Sequence, residues 1–297
     1  ADPDHIHKTY PALFWLGRNY GIGHCINENN RLLQISMDRD ESFDAFNLVW
    51  YAPSITNLEP LARNRVFSGI NAGYLRNNWD IQSVSLAFKG GFNLADHAHL
   101  DMGTFVLDYA GIRWVSDLGR DDYDLPEYFD RTVGGGRWQY FRLNTKSHNT
   151  LLINQQNQVE DARAVIVQSD LGAENPFVVL DLSEAYAPHA KSVFRTYKLL
   201  DNGLIITDKV HGKESMESIQ WQLLTNTEVQ VSGNSATLSA EGKQMQVKLL
   251  QPSSAVFEVV SAKPAEPEMD NAGYKLLKTT VTNFDEAVCE IIVKIEA

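Results

Sequence analysis

The stretch Val193-Phe194-Arg195-Thr196-Tyr197-Lys198-Leu199-Leu200-Asp201-Asn202-Gly203-Leu204-Ile205-Ile206-Thr207-Asp208-Lys209-Val210 holds two β-rich runs split by Asp-Asn-Gly. β-Branched and aromatic residues suit the pleated, half-buried surface of a sheet. Asp-Asn-Gly tolerates the positive φ of tight turns, so the stretch predicts an antiparallel hairpin. The same rhythm extends in both directions. Upstream lie Arg65–Ile70, Gly73–Arg76, Ser83–Phe88, Gly103–Tyr109, Arg113–Ser116, Thr150–Ile153, Ala164–Gln168 and Phe177–Leu182. Downstream lie Glu217–Leu224, Glu228–Val231, Ala236–Ser239, Met245–Leu250, Ala255–Val260, Leu276–Val281 and Val288–Ile295. Ser232-Gly233-Asn234 is a second hairpin turn, and Lys263-Pro264-Ala265-Glu266-Pro267-Glu268 reads as an exposed loop. Short strands at this spacing predict a mainly β chain built as a large antiparallel β-sandwich.

The first sixty or so residues differ in texture. Tyr10, Leu13, Phe14 and Leu16-Gly17, then Leu32, Leu33 and Ile35, fall at helical spacing. A further helical run is Phe43, Phe46, Leu48, Val49 and Trp50, led by Asp40-Glu41-Ser42 and closed by Pro53. So short a helical segment cannot bury its apolar face alone and needs a partner layer. The expected division is a helical segment over 1–62 and the sandwich over 63–297.

The 297 residues carry 26 Lys+Arg against 38 Asp+Glu, a net charge of −12, with 43% hydrophobic residues. That balance describes a soluble acidic globular chain and argues against general nucleic-acid binding, which needs a basic face. A polyanionic sugar is excluded less firmly, because a basic cleft can sit inside an acidic whole. No stretch approaches the roughly 20 apolar residues of a membrane-spanning helix. Cys25 and Cys289 allow at most one bridge and match no CxxC metal or redox motif. Ala1-Asp2-Pro3-Asp4 has no signal-like pattern, which fits either a signal already removed or, the preferred reading, a boundary introduced by cloning.

The densest chemistry lies in Gly90-Gly91-Phe92-Asn93-Leu94-Ala95-Asp96-His97-Ala98-His99-Leu100-Asp101-Met102-Gly103. If extended, His97 to Asp101 turns His97, His99 and Asp101 to one face. Trp114-Val115-Ser116-Asp117-Leu118-Gly119-Arg120 ends an apolar strand in a carboxylate, and Ser147-His148-Asn149-Thr150 leads into another. Imidazoles and a carboxylate suit zinc or a similar divalent ion, and His99, Asp117 and His148 could supply three ligands. Asp101 is a rival ligand or a carboxylate capping backbone amides. Lone HxH pairs are also often ordinary, partly buried histidines.

The ordered set Phe88-Lys89-Gly90-Gly91, His97-Ala98-His99-Leu100-Asp101-Met102-Gly103-Thr104-Phe105-Val106-Leu107, Trp114-Val115-Ser116-Asp117-Leu118-Gly119 and Ser147-His148-Asn149-Thr150-Leu151 resembles the heparinase II/III-like polysaccharide lyases, mainly over residues 65–210. The resemblance implies an (α/α) toroid followed by an antiparallel β-sandwich, with the active site between them and residues 1–62 as the end of the toroid. It also implies one zinc, or another divalent metal, on His99, Asp117 and His148, and His97 as an active-site residue. The implied reaction is β-elimination at a 4-linked uronic acid of an acidic polysaccharide such as glycosaminoglycan or alginate, in the periplasm or outside the cell. His97 would neutralise the substrate carboxylate or join the acid/base set, or else orient His99. The family's catalytic Tyr and Asn/His pair lie on upstream toroid helices, and Tyr10, Tyr20, His24 and Asn27 stand in no matching motif.

Arg120, Tyr123, Tyr128, Arg131 and Arg137 precede or join a Gly134-Gly135-Gly136 loop, and loops beside a rigid sheet gather ligand contacts. Arginine binds carboxylates and sulfates through paired donors, so Arg120 and Arg131, with Tyr123 and Tyr128, are candidate substrate-binding residues. Ordinary ion pairs with Asp121, Asp122, Asp124, Glu127 and Asp130 would use the same arginines. Two other readings stand beside the lyase. One is a non-catalytic, metal-stabilised carbohydrate-binding sandwich using Trp138, Tyr140 and Phe141. The other is an oxygenase with two His and one carboxylate around a metal with open positions.

Overall fold

In the computed structural model, residues 9–38, 44–282, 284 and 288–297 are described. Phe43, its lead-in Asp40-Glu41-Ser42 and the N-terminal Ala1-Asp2-Pro3-Asp4 lie outside them. The chain divides into two compact units, Ala1–Ala62 and Arg63–Ala297.

The first unit contains α1 (Ala12–Tyr20), α2 (Gly23–Asp38) and the five-residue α3 (Phe46–Trp50). α1 stops at Gly21, which takes the left-handed conformation (φ 68°) that glycine adopts without cost. Phe14, Ile26, Leu33 and Ala52 form a small apolar cluster. In the third helix Phe46, Leu48 and Val49 are exposed, and Asn47 is the residue that turns inward. Its Oδ1 accepts from Asn29 Nδ2 (2.8 Å), and Asn29 Oδ1 accepts from Tyr10 N–H (2.8 Å). A paired amide network satisfies this buried polar contact.

The second unit is all antiparallel. Its strands are β1 (Arg65–Phe67), β2 (Ala72–Arg76), β3 (Ser85–Lys89), β4 (Gly91–Phe92), β5 (Phe105–Tyr109), β6 (Ile112–Val115), β7 (Leu151–Ile153), β8 (Arg163–Asp170) and β9 (Phe177–Asp181). They continue through β10 (Ala190–Leu200), β11 (Gly203–Gly212), β12 (Ile219–Thr225), β13 (Glu228–Ser232), β14 (Ser235–Ala240), β15 (Lys243–Gln251), β16 (Glu258–Ser261), β17 (Lys275–Val281) and β18 (Val288–Glu296). A nine-stranded sheet runs β13-β14-β15-β18-β11-β10-β9-β8-β4, a five-stranded one β1-β2-β3-β5-β6, and a four-stranded one β16-β17-β12-β7. The two smaller sheets meet where Ser116 N–H donates to the Leu224 carbonyl (2.9 Å). One continuous core joins all three, with Leu86 and Trp114 from the first, Trp221 and Leu277 from the second, and Tyr197, Ile206 and Val293 from the large sheet.

Alternation sets which side chains reach that core. In β10, Val193, Arg195, Tyr197 and Leu199 point inward, and in β11 so do Leu204, Ile206, Asp208 and Val210. The hairpin pairs Leu200 with Gly203 across Asp201-Asn202, whose φ values are not positive. The turn is therefore where the sequence indicated, without the positive φ expected of it. Gly233, at φ 59°, does supply that conformation in the β13–β14 turn. The two-residue β4 is too short to leave a periodic signal.

Leu204 is fully buried at the centre of this core. Leu204→Ala is expected to cost about 2–5 kcal/mol in urea unfolding, whereas Val167→Thr, on an exposed position of β8, should stay within about 0.5 kcal/mol of the parent.

Candidate metal centre

Three loops build the site. The first, Asn93 to Thr104, follows β4 and is a chain of turns rather than the strand that the HxHxD alternation suggested. The break occurs at His97, whose φ of 58° is left-handed and which stands exposed while Ala98 and Leu100 are buried. His97 therefore does not share one pleated face with His99 and Asp101. Arg137, itself buried, fixes the loop by donating to the carbonyls of Ala98 (3.0 Å) and Tyr128 (2.9 Å). Leu100 N–H donates to the Leu143 carbonyl (2.9 Å). At Gly103, φ is +79°, and a Cβ would come within 2.7 Å of the Leu182 side chain. Only glycine fits that corner.

The second loop leaves β6 at Asp117, whose Oδ1 accepts from Gly119 N–H (3.0 Å). The third is the 3₁₀ turn Thr145–Ser147, opened by Asn144, whose side chain accepts from Lys146 N–H, and followed by His148. Gln222 of β12 donates to the carbonyls of His148 (2.8 Å) and Lys146 (3.0 Å). Asn149 ties the loops together: its Nδ2 donates to Phe105 O and Ser116 O (2.7 Å each), and its Oδ1 accepts from Leu224 N–H (2.6 Å).

Beneath them lies a buried ion pair. Arg195 and Asp208 are register partners across the β10–β11 hairpin, joined by two hydrogen bonds of 2.6 and 2.7 Å. Arg195 Nη1 also donates to the carbonyls of Gly103 and Asn149, at 2.7 Å each. Tyr197 Oη adds a second donor to Gly103 O (2.5 Å). These residues were not singled out from sequence. The signal was present, because Arg195 and Asp208 interrupt two apolar strands at matching distances from the turn.

The loops bring His99, Asp101 and His148 together, with one potential ligand atom from each within 4.8 Å of the others. The two imidazole centroids are 5.3 Å apart. Asp117 lies against the same His148, its Oδ2 2.8 Å from Nδ1. Lys89 Nζ donates to Asp101 Oδ1. His148 Nε2 is buried with no hydrogen-bond partner among the described residues. A buried ring nitrogen left without a partner among imidazole and carboxylate groups is, once deprotonated, the ligand chemistry a divalent metal uses. The residues present therefore fit the ion.

Electrostatics sharpen the fit. Burial and the neighbouring His148 push His99 down to about 3, against weaker pulls from Asp101 and Asp117. His99 is thus neutral, the form that ligates. Burial opposes charge on both Asp117 and His148, but their mutual attraction and hydrogen bond outweigh it. Asp117 is held well below the usual carboxylate range, and His148 above the ordinary histidine value.

The expected substrate residues fall into two groups. Arg120 and Tyr123 are exposed, the guanidinium 4.8 Å from the ring centroid. Arg131 is paired with Asp96, next to His97. Tyr128 is buried, and its ring carries the Arg137 guanidinium at 4.8 Å. Of the aromatics considered for a binding module, Trp138 is buried, while Tyr140 and Phe141 are partly so.

Residues 62–288 match the family described as Heparinase II/III-like, C-terminal. No curated protein sequence matches the chain. A crystal structure of heparinase III superposes on it with a TM-score of 0.67 at 16% identity, covering 91% of this chain and 42% of its own. A heparan sulfate lyase, HepC from Pedobacter heparinus, gives 0.64 at 15% identity, covering 96% and 41%. The chain thus spans about two fifths of these structures' length, and at such identity the likeness is one of fold.

Zinc at 100 times its dissociation constant should stabilise the folded chain by about 2.7 kcal/mol in thermal unfolding, and His99→Ala should abolish that gain. Because zinc must displace the proton that His148 holds more tightly than an ordinary histidine, apparent zinc affinity should fall as pH is lowered, with the fall beginning above the ordinary histidine value, measured by competition with a chromophoric chelator.

Proposed function

The chain belongs to the heparinase II/III-like family, and on that footing we propose that it is the β-sandwich part of a polysaccharide lyase acting on a uronate-containing polysaccharide by β-elimination. The observation that carries this reading is the convergence of three loops, bearing His97 to Asp101, Asp117 and His148, on one site. In the reaction the C5–H bond breaks, its electron pair forms the C4–C5 double bond, and the C4–O4 bond breaks as O4 takes a proton. The C5 proton becomes acidic enough only when charge spreading onto the uronate carboxylate is stabilised by donors or cations.

His97 is the residue of this chain best suited to meet the substrate. It is exposed at a left-handed backbone position, whereas His99, two residues on, is half-buried. In that position it serves as a donor to the uronate carboxylate or as a member of the acid/base set, each of which requires hydrogen-bond reach. Arg120, Tyr123 and Arg131 are exposed candidates for binding the polymer's acidic groups. Buried Tyr128 acts behind them as a support for Arg137.

A divalent metal, zinc in this reading, would be held by His99, Asp117 and His148, with Asp101 as a further carboxylate beside them. Bound there, it would cross-link the three loops. A metal-braced binding module without catalysis would share this centre, so activity separates the two. An acidic polymer too large to cross a membrane points to the periplasm or the exterior as the place of action.

In the full natural polypeptide carrying this chain, release of unsaturated, ultraviolet-absorbing ends from uronate polymers is expected. His97→Ala should lower it by about 10²–10⁴-fold while zinc content and unfolding midpoint stay unchanged. Binding of the polymer without release of such ends would favour the non-catalytic module.

A further inference from the structure

A second recess, sharing no residue with the metal centre, lies where β2 and the residue after it face the β8–β9 loop and the β10–β11 turn. Its volume is about 260 Å³, and its polar lining includes Arg63, Asn64, Arg76, Asn77, Glu174 and Asp201. The walls are tied to one another. Asn64 Nδ2 donates to Leu171 O (3.0 Å), and its Oδ1 accepts from Arg76 N–H (2.9 Å). Asn77 Nδ2 donates to the carbonyls of Leu200 (2.9 Å) and Asp201 (2.8 Å). Arg63 Nη1 donates to Asn77 O (2.8 Å). The β8–β9 loop is itself shaped by Asp170 Oδ1, which accepts from the Gly172 and Ala173 N–H groups.

Arg76 is the unusual member. Its guanidinium lies against two steeply inclined rings, 4.0 Å from the Trp79 centroid and 4.6 Å from that of Tyr74, and within the field of Asp108. The guanidinium donates no hydrogen bond and joins no ion pair within 4 Å among the described residues, and its Nε is buried without a partner. Most arginines of this chain that reach inward do find acceptors: Arg195, Arg137 and Arg142 each hold at least two. An oriented guanidinium with its donors unspent loses little entropy on binding an oxyanion, and its planar fork matches a carboxylate. Arg63 adds a second cation to the same recess. Glu174 and Asp201 keep the recess from being simply basic: they would repel a polyanion, but they accept hydrogen bonds from hydroxyl groups.

We propose that this recess is a binding site for one acidic sugar unit, with the carboxylate of a uronic acid on Arg76 and Arg63 and its hydroxyls on Glu174, Asp201 and the flanking carbonyls. The size agrees, since about 260 Å³ falls below the ~300–1,000 Å³ of sites for larger ligands and suits a single ring. With Glu174 and Asp201 in the lining, a site of this kind takes a single uronate unit, such as a free sugar or a chain end, rather than a run of the polyanion. The assignment goes beyond the lyase reading and needs no catalysis.

The test is calorimetric titration of the whole chain with glucuronate, glucose and inorganic sulfate, on the parent and on Arg76→Gln and Arg63→Gln. Arg63 is exposed, so its variant keeps the fold intact even if Arg76→Gln loosens the sheet edge. The expected result is binding of glucuronate to the parent, weakened roughly tenfold or more in each variant, with glucose and sulfate bound much more weakly. No glucuronate binding by the parent, unchanged affinity in Arg63→Gln, or sulfate or glucose bound as well as glucuronate would overturn the proposal. A chain that binds glucuronate here but whose full polypeptide cleaves nothing supports this site and counts against the lyase. Cleavage without glucuronate binding here has the opposite meaning.

Discussion

The Arg195–Asp208 pair is the constraint on which the site depends. Both charges sit in the middle of the sandwich core at complete burial, where an isolated charge would be severely penalised. They are tolerated because the two side chains are cross-strand partners with paired hydrogen bonds, and because the remaining guanidinium donors go to Gly103 and Asn149 carbonyls. Those two carbonyls belong to the loops that carry Asp101 and His148. The hairpin thus sets the distance between two parts of the metal centre. Asn149 extends the constraint to Ser116, next to Asp117. A buried ion pair is weak evidence of net stability, but here it fixes where three irregular segments meet.

This arrangement separates rigidity from reactivity. His148 and Asp101 are buried, and His99 is kept neutral by burial, so the group could hold a metal ion. His97 lies two residues away on the same loop yet faces outward, because its backbone reverses at a positive φ. A residue so placed inherits the loop's fixed position while remaining free to touch a substrate.

Much of the fold was legible because alternation and turn residues report burial directly. The β10–β11 hairpin, its turn at Asp201-Asn202 and the long succession of strands follow from residue types alone. The inward position of Asn47 in α3 was not legible, because it is held by a hydrogen-bonded partner, which apolar periodicity cannot register. The grouping of His99 and His148 was likewise readable, but the extended HxHxD face was not the real geometry. Alternation presumes a strand, and the left-handed His97 breaks it. The involvement of Asp101 follows from how the loop folds after that break. Tyr128 looked like a ligand-binding residue and lies instead under Arg137, a packing outcome that loop composition does not encode.

The most direct test of the account is a crystal structure of the chain grown with zinc, with anomalous diffraction collected on both sides of the zinc absorption edge. The account predicts one strong anomalous peak in contact with His99 and His148 and with at least one of the carboxylates Asp117 and Asp101. The absence of a peak between the two imidazoles, or a peak bound only by exposed side chains elsewhere, would contradict it.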